Sequence, residues 1–150
     1  MTMTALDVES LSLLIEQEIH VNAPLEATFD ALLEQLGPSN EMMDGTPMPL
    51  QLEAWPGGRW FRNLGSNNGH FWANVQAIKR PTLLEFSGPL MMSHPVANNV
   101  QYRLSQSGNG TLIKFRHSGF GLIEEAHKKG VSGGWAYMNN KARERAEKSR

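Results

Sequence analysis

The sequence predicts an α+β fold, in which a seven-stranded antiparallel curved sheet wraps around a long C-terminal helix, with one or two short helices between the first two strands. Apolar residues alternate with polar ones from Leu11 to Val21, which indicates a strand with one buried face. Six further strand candidates follow between residues 50 and 118, separated by turn residues. A helical pattern led by Gly133-Gly134-Trp135 comes last. Because a helix across a curved sheet encloses space, we also expect a cavity between them.

The segment after the first strand predicts an amphipathic helix. Pro24 stands where a first helical residue would, and apolar residues at helical spacing run from Leu25 to Leu36. Gly37-Pro38 ends the helix, because a glycine cap followed by proline stops helical hydrogen bonding. Residues 38–49 are expected to form a loop with one short helical turn around 40–43.

The six later strand candidates form a meander. Pro56-Gly57-Gly58 and Asn67-Asn68-Gly69 are hairpin signals, because glycine and asparagine tolerate positive φ. The predicted strands are Leu50–Trp55, Arg59–Leu64, His70–Ile78, Leu83–Ser87, Asn98–Gln106 and Thr111–Ser118.

The C-terminal part has two predicted pieces. Residues 121–129 are polar and are expected to form a short helix or ordered loop that ends at Gly130. From Ser132 onward, Trp135, Met138 and Ala142 recur at helical spacing and predict the long terminal helix.

Composition narrows the functional classes. A length of 150 residues fits one domain over 1–150, with a core over about 11–148. The net charge of -1 gives no general attraction to nucleic acid, and the absence of cysteine excludes disulfides and thiolate chemistry. The five histidines lack metal-ligand spacing, so no metal or other cofactor is expected. No apolar run could insert in a membrane, and residues 1–7 lack signal-peptide character; we therefore expect a cytoplasmic protein.

Four blocks of sequence carry a family resemblance: residues 19–29, residues 56–60, residues 75–86, and residues 110–117 followed later by Gly134-Trp135. Together they resemble the SRPBCC superfamily, also called START-like or birch-pollen-allergen-like, and within it the heat-shock-protein-90 ATPase activator homologue (AHSA) branch. The resemblance implies the helix-grip fold over about residues 14–146. Asn139 and Asn140 stand where the family pattern leads us to expect apolar residues. The superfamily includes ligand carriers, cyclases and co-chaperone domains, so the resemblance implies a fold and not one activity.

Alternation predicts which side chains line the cavity. His117 is the best candidate for a polar hook, although a structural, hydrogen-bonded histidine is an equally open interpretation. Arg59 and Arg62 could bind an anion or could be solvated hairpin charges, and the methionines at 42, 43, 48, 91 and 92 could form a deformable cavity mouth or pack loosely in loops. The predicted lining residues are Leu52, Trp60, Phe71, Val75, Phe86, Tyr102, Phe115, His117, Trp135 and Met138.

These features favour a protein that binds a small hydrophobic or amphipathic ligand. An enzyme of the cyclase, dehydratase or hydrolase kind, with His117 or Tyr102 as acid or base, is the second hypothesis. A chaperone-associated or other protein-interaction domain, or a homodimer, is the third. The sequence shows neither a nucleophile elbow nor a phosphate-binding glycine loop, and no catalytic residue is assigned.

Overall fold

The predicted α+β architecture is confirmed by a computed structural model, which describes residues 8–148. The expectation about a signal peptide concerns residues 1–7, which lie outside this range. The elements are β1 (Ser12–Val21), α1 (Leu25–Leu36), β2 (Gln51–Leu52), β3 (Arg59–Gly65), β4 (Asn68–Lys79), β5 (Leu83–Gly88), β6 (Val96–Ser107), β7 (Gly110–Gly121) and α2 (Glu125–Lys148), preceded by a 3-10 turn at Glu9–Leu11.

The strands form one antiparallel sheet in the order β1-β7-β6-β5-β4-β3-β2. Consecutive strands from β2 to β7 pair as the predicted meander, and β1 lies at the edge beside β7. In β1 the alternation is as expected, with Ile15 and Val21 buried. Leu14, which interrupts the apolar pattern, points outward and is 61% exposed.

The terminal helix is longer than predicted. Residues 125–148 form one continuous helix, whereas the sequence suggested a break at Gly130. Gly130, Gly133 and Gly134 all lie inside it, and none has positive φ. An interior glycine lowers helix stability by about 1 kcal/mol relative to alanine but does not by itself end the helix. Packing of the surrounding residues can therefore stabilise a continuous helix that contains glycines.

Two predictions about the segment before β3 are wrong. Residues 40–43 form no helical turn, because Met42 donates its backbone N–H to Thr46 and an isolated bridge joins Glu41 to Pro47. The strand predicted from Leu50 to Trp55 reduces to Gln51–Leu52, because the chain turns after Glu53, where Trp55 donates its backbone N–H to the Glu53 carbonyl oxygen over 2.9 Å.

That turn requires glycine. A Cβ at Gly58 would lie 1.9 Å from the carbonyl oxygen of Glu53, and the preceding Gly57 has φ +84°. The Glu53 carboxylate accepts hydrogen bonds of 2.8 Å from the backbone and the guanidinium of Arg59.

The β3–β4 hairpin differs from the prediction in a way that changes which side chains face inward. Its turn is Ser66-Asn67, both with positive φ, so β4 begins at Asn68. Trp60 pairs with Ala73 and the next residue, Phe61, pairs with Phe71, which leaves Trp72 as the extra residue of a β-bulge. Because a bulge reverses the alternation, Trp72 is buried and Phe71 lies on the outer face, 42% exposed. The prediction that Phe71 lines the cavity is therefore wrong.

Aromatic side chains fill the middle of the concave face. Trp60 stacks on Phe86 with ring centroids 4.5 Å apart and meets the edge of Trp72 at 5.0 Å. Its indole N–H donates to the backbone oxygen of Leu36 over 2.7 Å, which satisfies one of the carbonyls left free at the end of α1. Trp60 thereby joins the first helix to the sheet.

A buried polar chain fixes α2 against β7. The Trp135 indole N–H donates to Nδ1 of His117 over 3.0 Å, and Nε2 of His117 lies 2.7 Å from Oδ1 of Asn98. Tryptophan can only donate, so Nδ1 accepts and Nε2 carries the proton. The Asn98 amide nitrogen faces the backbone oxygens of Gly88 and Pro89, which leaves its Oδ1 as the acceptor. His117 is thus held neutral, and its burial, with a smaller contribution from His127, lowers its pKa from 6.5 to about 4.

A second polar chain accounts for Asn139. The Tyr102 hydroxyl donates to Oδ1 of Asn139 over 2.7 Å, and the Asn139 amide donates to Gln17 over 3.0 Å. Gln17 in turn donates to the backbone oxygen of Ser132 in α2. Burial raises the pKa of Tyr102 far above its ordinary value. The asparagine in place of an apolar residue is therefore the partner that a buried tyrosine requires.

The neutral state of His117 predicts a pH dependence of stability. Its pKa is lowered in the folded state, so as pH falls from 6.5 toward about 4 the unfolded chain takes up a proton that the folded chain refuses. We expect wild type to lose about 2–3 kcal/mol more free energy of unfolding than His117→Gln between about pH 7 and pH 4.5. Urea unfolding at both pH values measures this. Equal losses of free energy of unfolding in wild type and His117→Gln would contradict the assignment of a neutral His117.

The Tyr102–Asn139 hydrogen bond predicts a loss on removal of one partner. Tyr102→Phe leaves the buried Asn139 oxygen without its donor, which should lower the free energy of unfolding by about 1–3 kcal/mol. The double variant Tyr102→Phe/Asn139→Leu removes both partners of this hydrogen bond. Chemical denaturation should therefore show that the double variant loses less free energy of unfolding than the two single variants lose together. A loss equal to the sum of the two single losses would contradict the coupling.

Candidate ligand-binding cavity

A cavity of about 700 Å³ opens beside the aromatic core. Its walls are the N-terminal half of α2, the β3–β4 hairpin, the loop over residues 38–49, and Met91 in the loop between β5 and β6. The hollow therefore lies between helix and sheet. It is displaced toward one end, because aromatic rings occupy the centre of the concave face.

Methionines form much of the cavity wall and rim. Met42, Met43 and Met48 reach it from one loop and Met91 from another, although the loops are far apart in sequence. Met42, Met43 and Met91 are each at least 46% exposed. The fifth methionine of the two loops, Met92, is buried and does not border the cavity. Unbranched thioether side chains adapt to irregular shapes, so this wall suits a range of apolar contacts.

Two glycines remove side chains from the helical wall. Gly130 and Gly134, four residues apart and hence on one face of α2, both line the cavity. A Cβ built on either would meet no atom within 4 Å. Gly133 also has open space around it, but it lies outside the cavity. The cavity volume thus depends on the absence of side chains at 130 and 134.

The acidic group of the wall is already engaged. The Tyr137 hydroxyl donates to Oε1 of Glu41 over 2.6 Å, and Nζ of Lys141 lies 3.5 Å from the same oxygen. The hydrogen bond from Tyr137, with the nearby Lys141, lowers the pKa of Glu41, and the same bond raises the pKa of Tyr137 to about 12. This pair joins the 38–49 loop to α2 and keeps Glu41 ionised.

Several polar groups of the wall lack partners. Arg62 lines the cavity, and its guanidinium makes no hydrogen bond or ion pair with any other of residues 8–148, whereas that of Arg59 is bound to Glu53. Nε1 of Trp72 and Nε2 of His127, both from residues of the cavity wall, are buried without a hydrogen-bond partner. Trp72 is only 3% exposed. A buried polar atom without a partner costs about 1–3 kcal/mol, which makes these positions candidates for ligand contacts.

The structure brings two of the ten predicted lining residues to the cavity, Trp135 and Met138. Phe71 is outside, and Leu52 is half-buried against the core. The remaining six pack within the core and are buried: Trp60, Val75, Phe86, Tyr102, Phe115 and His117.

Sequence reasoning missed most of the actual wall. Paired glycines inside an apolar helical pattern were an available signal for Gly130 and Gly134. No local pattern marks the bulge that turns Trp72 inward. The wall residues that were not predicted include Glu41, Trp72, His127, Gly130, Gly134 and Tyr137.

The acid–base residues suggested by the sequence do not meet in the cavity. The two acid–base candidates, His117 and Tyr102, lie outside it and have their hydrogen-bonding atoms occupied. Among residues 8–148, no three His, Asp or Glu side chains are grouped to hold a metal ion. Neither helix of that range is long and apolar enough to cross a bilayer.

Solved structures share this architecture at low sequence identity. The Mesorhizobium loti protein MLL2253 superposes with a TM-score of 0.70 at 17% identity, covering 91% of this chain and 98% of its own. The di-domain ARO/CYC StfQ of the steffimycin biosynthetic pathway gives 0.68 at 10% identity, covering 95% of this chain and 53% of its own. Ara h 8.0201 gives 0.65 at 11% identity, with 90% and 97% covered. Such likeness shows the fold alone.

Sequence comparison gives the family. No functionally curated protein matches the chain significantly. The model of the family "Activator of Hsp90 ATPase homolog 1-like protein" matches residues 22–144, which span α1, the whole meander and most of α2. This match, together with the shared fold, shows that the chain belongs to the activator of Hsp90 ATPase homolog 1-like family of the SRPBCC superfamily.

Proposed function

We propose that this protein binds a small hydrophobic or amphipathic molecule in the cavity between α2 and the β3–β4 hairpin. The observation that carries the proposal is a hollow of about 700 Å³ that the protein's own side chains leave unfilled. This volume lies within the range of small-molecule sites, about 300–1,000 Å³. Its methionine and tryptophan walls favour an apolar ligand body, because burial removes apolar surface from water.

The helical glycines support the same proposal. Folding alone would favour alanine at Gly130 and Gly134, since each helical glycine costs about 1 kcal/mol relative to alanine and the added methyl group has room. A ligand gives the open space a use, because its atoms replace the missing side chains against the helix.

Binding without turnover has more support than catalysis. The StfQ likeness suggests a cyclase, but at 10% identity it extends only to the fold. His117 and Tyr102, the acid–base candidates, serve to hold α2 on the sheet. A cyclase would need titratable groups converging on the substrate, and the carboxylate of Glu41 is committed to Tyr137 and Lys141.

Filling the cavity from the helix tests this function. Gly134→Leu should place a side chain in the hollow and abolish binding of the neutral fluorescent probe N-phenyl-1-naphthylamine, followed by its emission increase. Gly133→Leu is the matched control, because it adds the same side chain one residue away, outside the cavity. Both variants should be more stable than wild type by about 0.5–1 kcal/mol, since leucine is a better helix former than glycine.

The comparison has two outcomes against the proposal. Equal probe binding by Gly134→Leu and Gly133→Leu would place the apolar site outside the hollow and contradict the proposal. Absence of binding by wild type to this probe and to a panel of neutral aromatic and alkyl compounds would remove the proposed function.

A further inference from the structure

We infer that the ligand of this cavity is an amphipathic carboxylate, whose anionic group is bound by Arg62 and whose apolar body lies between the methionines and the glycine face of α2. The inference rests on the proposed function and specifies the chemical class of its ligand.

Arg62 is placed to receive an anion. It lies in β3 two residues beyond the buried Trp60, on the same inward side, and pairs across the hairpin with His70. Both Arg62 and His70 border the cavity. Arginine is always charged and presents five N–H donors, yet Arg62 has no acceptor among residues 8–148.

Arg59, on the same strand, already forms an ion pair with a carboxylate. Its Nε and terminal nitrogen each lie 2.8 Å from an oxygen of Glu53, in the two-pronged geometry typical of an arginine–carboxylate pair. Arg62 has the same capacity facing the cavity, and a ligand carboxylate would complete it in the same way.

The hydrogen-bonding groups of the wall are unbalanced toward donors. Glu41 is the acidic side chain at the cavity, and Tyr137 and Lys141 both bind it. The unpartnered groups are the Arg62 guanidinium and the Trp72 indole N–H, which can only donate, and Nε2 of His127, which donates in one tautomer and accepts in the other. A ligand that brings oxygen acceptors satisfies Arg62 and Trp72, whereas a donor-rich or cationic ligand would find no free carboxylate among the described residues of this wall.

The indole nitrogen of Trp72 requires a small adjustment of the wall. It has less than 1 Å² of exposed surface, so an acceptor reaches it only when a neighbouring side chain moves. The methionines of this wall have three rotatable side-chain bonds each and can move at low energetic cost. Arg62 therefore provides the primary anion contact and Trp72 an additional donor.

Calorimetric titration of two matched ligand pairs tests the inference: 2-naphthoate against 2-naphthamide, and dodecanoate against dodecan-1-ol. Wild type should bind each carboxylate more tightly than its neutral partner. Arg62→Gln should weaken carboxylate binding by about tenfold or more, the value of a charge-assisted hydrogen bond, and leave neutral binding unchanged. Arg59→Gln, on the same strand but bound to Glu53, should leave both unchanged.

The outcomes separate the two proposals. If the neutral compounds bind as tightly as the carboxylates, or if Arg62→Gln weakens both members of a pair equally, the carboxylate inference is overturned and the binding function stands. If neither member of either pair binds wild type, both are overturned. Carboxylate affinity that falls with added salt, while neutral affinity does not, would further support Arg62 as the contact.

Discussion

The attachment of α2 to the sheet through buried polar pairs is the constraint on which the rest of the structure depends. Trp135 and Asn139 lie four residues apart on one face of the helix and bind His117 and Tyr102 on β7 and β6. A helix held only by apolar contacts could rotate or slide, but each of these bonds has one acceptable geometry. Fixing that face inward turns the next face, which carries Gly134, toward the hollow.

The β-bulge at Trp72 divides the concave surface into a filled part and an open part. On the β5–β7 side, Tyr102, Phe115 and Trp135 are in ring contact and leave no room. On the hairpin side, the reversed alternation turns Trp72 inward, and Arg62 also borders the hollow. The open part therefore combines an apolar floor with hydrogen-bond donors on the hairpin side, and the proposal of an amphipathic ligand rests on this combination.

Alternation in the sequence predicted the sheet well and the cavity poorly. The inward residues of β5, β6 and β7 were correctly placed, because each is a regular strand with one buried face. Being inward, however, does not distinguish a side chain that packs from one that borders empty space. That difference depends on tertiary distances, such as the 2.7 Å between Tyr102 and Asn139, and on the single extra residue at Trp72. The continuation of α2 through Gly130 was not predicted, because helix propensity is a local quantity that tertiary packing overrides.

The glycines of α2 imply a trade-off between helix stability and cavity volume. Substitution of Gly130 or Gly134 by larger helix formers would strengthen the helix while shrinking the hollow, whereas at Gly133 the same change has no such drawback. Selection for heat resistance alone would thus fill the cavity in small steps. Selection for a larger ligand in the proposed site would retain both glycines and, with them, a less stable helix.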